Sequence, residues 1–504
     1  GHFDAKAEAA VCGDSNNSYL NRLVQLKLVD YDELNKRNEL HDLVHELVVP
    51  TTRPSEKILS GRSHAFHYYS ILSESEELSR GESEGFECAL NTLDLEWSNI
   101  KAGQEWAVDR CNDDVEIAKL CSNYTKAGEV LLPYRNLPKD CIKWHEAALT
   151  ASRQLQNIEA EKKSLMNLGA ELNSLEQHNR ALEFLEEAAI LAGQLEHTAD
   201  EVVILNLLGN SCLALNKGER AVECFLKVYD SIKNEKNRVK EFDVRNNLGR
   251  AYTQAGDLKN AVASYQAALS MAKKMDDKPR QGQIFQSLGE VYLNAQKPQA
   301  AIPFINQGVT ISHQCDDKAL ENNLYQQLGD AYAAMKKIKE SIRSYEKGLN
   351  LSIRIGDSIS QAYLWKRMGD LHFDSRNYTE AIEAYRKGLP IIQKNNLDSF
   401  EYQLLLNLGD AHLEVNKPGQ SKICFKHSTW LARKLKDPDL EAQSLWKLCQ
   451  VHDVLGDGTL ALKTADSAVR ICESSSDPEA KNLEEEIKKW MIARTERQIE
   501  DSNL

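Results

Sequence analysis

The stretch Asn246-Asn247-Leu248-Gly249-Arg250-Ala251-Tyr252-Thr253-Gln254-Ala255-Gly256-Asp257-Leu258-Lys259-Asn260-Ala261-Val262-Ala263-Ser264-Tyr265 decides the fold, because its pattern returns every forty residues. The Leu-Gly pair stands at Leu168-Gly169, Leu208-Gly209, Leu248-Gly249, Leu288-Gly289, Leu328-Gly329 and Leu408-Gly409, with Met368-Gly369 and a degenerate Leu448-Cys449 completing the series. Three residues after the Gly come Tyr252, Tyr292 and Tyr332, then His372, His412 and His452. Twelve after it come Ala221, Ala261, Ala301, Ala381 and Ala461, with Ser341 and Ser421 as small substitutes. Sixteen after it stand Phe225, Tyr265, Tyr345, Tyr385 and Phe425. Small residues let two helices approach and the aromatic fills the gap between them, so each unit reads as a helix pair. An unslipped period means one supersecondary unit stacked on itself. Such a stack leaves an extended concave wall, a surface for recognition rather than a cleft for catalysis.

These offsets resemble the tetratricopeptide repeat, and the resemblance runs from about Glu161 to Glu473. It implies an all-α fold: a tetratricopeptide-type α-solenoid, a superhelix of helix pairs forty residues long, about eight of them over residues 161–475. The family's usual unit is about 34 residues. Six more add roughly 9 Å of helix per repeat, which is similar to the long-repeat branch of kinesin light chains, polarity adaptors and the sensors of signalling ATPases. Asp277, Asp317, Asp357, Asp437 and Asp477 keep the same period and suit helix N-caps; Pro438 and Pro478 follow two of them, where a first helical turn tolerates proline. Turns within each pair are expected at Lys217-Gly218, Gly256-Asp257, Lys297-Pro298 and Lys417-Pro418.

The chain carries 62 basic and 76 acidic residues, a formal charge of −14, which argues against nucleic acid as a partner of the repeats through their overall field. No run of 18 apolar residues and no signal-peptide pattern occurs, so a cytoplasmic protein without a membrane partner is expected. Eleven cysteines are scattered singly, several on helix-packing positions such as Cys212, Cys224 and Cys424, and read as reduced, buried, inert thiols. His41/His45 and His64/His67 have helical spacing, but no H-E-x-x-H order or third ligand accompanies them, so no metal is expected. Cys111, Cys121 and Cys141 lack a His-Asn arrangement, and the chain reads as non-catalytic.

The first 160 residues have no forty-residue period. Phe3 to Val29 has a helical apolar pattern interrupted by a polar turn at Gly13 to Asn17, with Leu20, Leu23, Leu26 and Leu28 on the second helix. Glu39-Leu40-His41-Asp42-Leu43-Val44-His45-Glu46-Leu47 comes next. This resembles the C-terminal part of the winged helix in signal-transducing ATPases with numerous domains, with Leu40-His41-Asp42 as the family's (M/L)HD motif. Arg62-Ser63-His64-Ala65-Phe66-His67-Tyr68-Tyr69, then Leu90 to Ala102 with Trp106-Ala107, are similar to the helical arm that joins that winged helix to a repeat sensor. The implied division is a partial winged helix (1–55), a helical arm (56–122), a transitional repeat (123–160), the repeats (161–475) and a C-terminal capping helix (476–504). The resemblance gives His41 the role of sensing the β-phosphate of ADP in a parent protein. No G-x-x-x-x-G-K-[ST] occurs, so no cofactor is expected in this chain, and ADP or ATP with Mg only in an upstream nucleotide-binding module. Gly1-His2 reads as a tag remnant, and oligomerisation is expected only when the parent protein is activated.

By similarity to peptide-binding members of the repeat family, the concave face would be lined by Asn206; Asn246, Asn247 and Arg250; Gln286 and Glu290; Gln326, Gln327 and Asp330; Lys366, Arg367, Asp370 and Phe373; Asn407 and Asp410. Amides both donate to and accept from a peptide backbone, so such a ladder suits an extended segment. Lys366 and Arg367 can clamp a carboxylate or pair with the acidic residues beside them. Two functions remain open. One is an autoinhibitory sensor of a signalling ATPase that binds an inducer, a protein, a peptide or a small molecule. The other is a free-standing adaptor linking two proteins.

Overall fold

Helices of fifteen to eighteen residues succeed one another from Ile158 to Ser474, and the reason lies in the joints between them. Gln156, Glu176, Asn216, Gly256, Asp276, Gln296, Asp316, Lys336, Gly356, Arg376, Asn396, Asn416, Lys436 and Gly456 all have positive φ, on a twenty-residue spacing among the described residues. In each joint the next N–H reaches back five residues, as Asp257 N to Tyr252 O (2.9 Å) and Asp277 N to Ala272 O (3.0 Å). That is the Schellman closure of a helix C-terminus. Turns between repeats and turns within them therefore share one geometry. They differ in how the next helix begins. Asp277, Asp317, Asp357 and Asp437 cap the next helix by accepting from the N–H of Arg280 (3.0 Å), Leu320 (2.9 Å), Ser360 (3.0 Å) and Leu440 (3.1 Å). Lys217, Lys297, Lys337, Asn377 and Lys417, inside the pairs, make no side-chain cap bond. A cap contributes about 1 kcal/mol, which offsets a left-handed non-glycine residue costing about 1–2 kcal/mol.

Gly218, expected as the turn residue, instead begins its helix; Asn216 takes the left-handed position. Glycine is needed at 218 because a Cβ there would lie 2.6 Å from Ala255 N and 2.8 Å from Gln254 C. The repeating Leu-Gly has a similar cause. A Cβ on Gly209 would meet the Phe225 ring at 2.5 Å, and Gly329, Gly369 and Gly409 press against Tyr345, Tyr385 and Phe425 in the same way. Each of these rings is fully or almost fully buried, worth about 1.5–3 kcal/mol per side chain.

The computed structural model describes residues 2–3, 5–12, 18–26, 28–32, 37–40, 53–81, 83–134, 138–195, 198–235 and 237–502, in two compact units, Gly1–Asp257 and Leu258–Leu504. The second unit is wholly helical among the described residues and ends in Pro478–Ser502, whose Trp490 meets Trp446 edge-on at 5.5 Å. Its helices stack in series in the manner of an α-solenoid, as the forty-residue pattern requires.

The first unit opens with a feature the helical pattern of Phe3 to Val29 does not anticipate. His2–Phe3, Arg37–Leu40 and Val29–Asp32 form a small antiparallel sheet in that spatial order, with Val29 opposite Leu40. Ala5–Cys12 and Ser18–Gln25 are helical, so the apolar pattern is right in its middle and wrong at both ends, where short β-prone runs pair with a distant strand. Arg37 forms a buried ion pair with Glu96. The long helices Pro54–Ser79 and Ser83–Asp109 pack against each other over most of their length. The motif residues Ala65, Tyr68, Leu93 and Ile100 are buried core, and Tyr124 donates to Ala65 O at 2.6 Å. Buried Glu76 accepts from Val130 N (2.9 Å) and Leu131 N (3.2 Å), capping the one-turn helix Leu131–Tyr134.

Candidate partner-binding surface

In the first unit, Thr198–Ala214, Gly218–Ile232 and Arg238–Gln254 enclose a cleft of about 600 Å³. Val202, Val203, Val228, Ile232 and Val244 make its apolar walls, and Asn206, Asn210 and Asn247 present amides to it. Asn206 Nδ2 donates to Val202 O at 3.0 Å. Lys240 and Glu235 pair at 3.0 Å among the lining residues. Apolar walls with a few convergent amides suit an extended segment: side chains desolvate against valine while the backbone meets groups that both donate and accept. Asn246 and Arg250 lie on the same helix, half-buried and exposed, and do not line the cleft.

In the second unit the corresponding positions turn toward each other. Asp330 accepts from Tyr345 Oη (2.6 Å) and from Arg367 Nε (3.0 Å) and Nη2 (2.5 Å). Asp370 accepts from Tyr385 Oη (2.8 Å), Asn407 Nδ2 (2.8 Å) and Lys366 Nζ (2.8 Å). Asp410 accepts from Lys447 Nζ at 2.9 Å. The rule is periodic: the residue after one Gly receives a donor from two before the next, thirty-seven residues on. Burial raises the Asp410 carboxyl above its ordinary value, with Lys447 opposing. Burial also raises the Tyr345 and Tyr385 hydroxyls, seconded by Asp330 and Asp370. Burial works against the Arg367 cation, yet Asp330 and Tyr345 hold its pKa above the usual range.

Of the two roles open to Lys366 and Arg367, internal pairing is the one observed. Reversing both charges would set one new carboxylate against Asp370 and another against Asp330. Gln326 Nε2 and Gln327 Oε1 are buried with no hydrogen-bond partner among the described residues. Gln286 is half-buried and Glu290 exposed. Phe373 packs edge-on against Tyr378 at 5.3 Å. Asn210 and Lys447 were not expected in the groove from sequence, although they sit forty residues from Arg250 and Asn407; the degenerate Leu448-Cys449 hid Lys447, and Tyr345 and Tyr385, read as aromatics between paired helices, reach the aspartates through their hydroxyls. His41 lies outside the described residues. Among those described, no group of three His, Cys, Asp or Glu side chains is placed to hold a metal ion, and no helix is long and apolar enough to cross a membrane.

Helix pairs with a Leu-Gly seam, a small residue and an aromatic define a repeat protein of the protein-interaction class. The tetratricopeptide-repeat family model matches residues 200–274, 241–314 and 320–394, so these segments are tetratricopeptide repeats. Comparison with curated protein sequences finds no match. Among solved structures, the chain is similar to a signal transduction ATPase with numerous domains that has a tetratricopeptide repeat sensor, from Pyrococcus horikoshii, at 14% identity and a TM-score of 0.45, covering 87% of this chain and 62% of that one. The chain thus spans 62% of that protein's length. It is also similar to the apo form of RapI (13% identity, TM-score 0.46, 68% of this chain and 98% of that) and to aspartyl phosphate phosphatase F from Bacillus subtilis (11%, 0.44, 73% and 94%).

Proposed function

We propose that the repeats bind an extended protein or peptide segment in the amide-lined cleft of the first unit, and that the chain is the sensing region of a signalling ATPase. The observation that carries the binding part is the union of Asn206, Asn210 and Asn247 with valine walls in one cleft. Here only Asn206 spends an N–H internally, on Val202 O, whereas the acidic ladder of the second unit is paired throughout. The sensor part is supported by the order of the sequence motifs: Leu40-His41-Asp42, then the Arg62–Tyr69 and Leu90–Ala102 helices, then the repeats. In this reading the nucleotide module lies outside the chain, this chain is non-catalytic, and the empty repeats restrain the module until the inducer binds, a coupling of two sites through the arm.

The test is selection of binders from a random peptide library on the immobilised chain, then titration against Asn206→Ala combined with Asn247→Ala. Affinity should fall at least tenfold, about 1.4 kcal/mol, with an unchanged helical circular-dichroism signal. Equal binding by wild type and variant would remove the cleft as the site. An adaptor rather than a sensor would be indicated if selected peptides bind but leave nucleotide turnover of a full-length parent ATPase untouched.

A further inference from the structure

We propose that Cys212 and Cys224 are an oxidisable pair that closes reversibly into a disulfide joining the two helices of one repeat. Cys212 lies three residues after Gly209 on Thr198–Ala214, and Cys224 fifteen after it on Gly218–Ile232. The repeat that begins at Lys278 shows what these two positions do. There they hold Tyr292 and Phe304, whose rings stack 5.3 Å apart at 8°. The register thus sets the two positions face to face across the helix pair, and in this repeat alone both are cysteine.

The two side chains are near enough to share a hydrogen bond. That bond is the largest influence on Cys212; with Arg220 and Lys217 nearby it outweighs burial and lowers the thiol below its ordinary value. The same bond, then burial, raises Cys224. Elsewhere burial dominates, pushing Cys121, Cys141 and Cys449 up to about 12 and Cys424 to about 11. Access is divided to match: Cys212 is fully buried, whereas Cys224 is half-exposed.

The oxidant is a small disulfide such as glutathione disulfide. Cys224 attacks one of its sulfurs while passing its proton to the Cys212 thiolate, giving a mixed disulfide and one glutathione thiolate. Cys212, losing that proton, then attacks the Cys224 sulfur, forms the internal S–S bond and expels the second glutathione. One protein thiol and one thiolate are oxidised and one disulfide is reduced to two glutathione sulfurs; the proton of Cys224 ends on one of them and solvent protonates the other. This chemistry does not depend on whether the adjoining cleft binds a partner.

The folded chain is incubated with glutathione disulfide, its remaining thiols are alkylated, and it is digested with trypsin. Cleavage at Lys217 and Arg220 separates the two cysteines into different peptides, so a disulfide appears as a linked pair that dithiothreitol releases. Wild type should give that pair and lose two titratable thiols, while Cys212→Ser should stop at glutathionylated Cys224. Exposed Cys88 reports that the oxidant is active. Glutathionylated Cys88 beside fully alkylatable Cys212 and Cys224, or wild-type Cys224 held as a stable mixed disulfide, would overturn the proposal.

Discussion

The pairs around Gly209 and Gly369 are built on one repeat, yet the polar residues beside their glycines behave oppositely. Around Gly209 and Gly249 the side chains are asparagines, and they face a cleft walled by valine. Around Gly329, Gly369 and Gly409 they are aspartates, each held by a tyrosine hydroxyl or by a cation or amide from the next repeat. A charged acceptor near buried tyrosine has to find donors, because an unpaired buried carboxylate is costly. A neutral amide can remain available to a ligand at less cost. On the same scaffold the residue after the glycine is an open amide at Asn210 and a paired carboxylate at Asp330, Asp370 and Asp410.

The largest expected effect tests what the two regions share. Gly329→Leu drives a side chain into Tyr345 and Gly209→Leu into Phe225, and each should destabilise its own unit by about 2–4 kcal/mol, read from denaturant unfolding. An unchanged midpoint for either would show that the helix-pair register is wrong there. The second separates the regions. Asp370→Ala removes the acceptor of Tyr385, Asn407 and Lys366 and should cost about 2–3 kcal/mol, against less than about 1 kcal/mol for Asn206→Ala. Equal costs would erase the distinction between seam and surface.

The third concerns acid. Burial lowers the imidazoles of His145 in the first unit and His412 in the second to about 4. A folded pKa below the unfolded value near 6.5 means that stability is fully present above pH 6.5 and is lost as pH falls toward 4. Each unit should weaken over that window by about 1–3 kcal/mol. Replacing His412 by Gln should flatten the acid slope of the second unit and leave that of the first, as tracked by hydrogen exchange. The smallest effect lies in the joints. Lys336 holds positive φ without the tolerance that Asn216 has for it. Lys336→Gly should stabilise by about 1 kcal/mol and Asn216→Gly by only a few tenths in thermal melts; the reverse order would contradict the shared joint geometry.

The forty-residue spacing alone determined the helix pairs and the aromatic partners of Gly209, Gly329, Gly369 and Gly409, because the contacts that define a repeat are short-range and periodic. Asp277, Asp317, Asp357 and Asp437 were legible as caps for the same reason: a cap is satisfied within three residues. The glycine-free turns were less legible, since the left-handed residue is held by backbone closure onto the preceding helix and Lys, Gln or Arg is accepted there. The strands at His2–Phe3, Val29–Asp32 and Arg37–Leu40 were missed because two to four residues carry no period, and only pairing across the sheet makes them strands. Which groove residues stay open and which close on each other was decided by tertiary structure. The aspartate after one glycine and the donor before the next are thirty-seven residues apart, and their meeting depends on the distance between stacked helices, which no local pattern states.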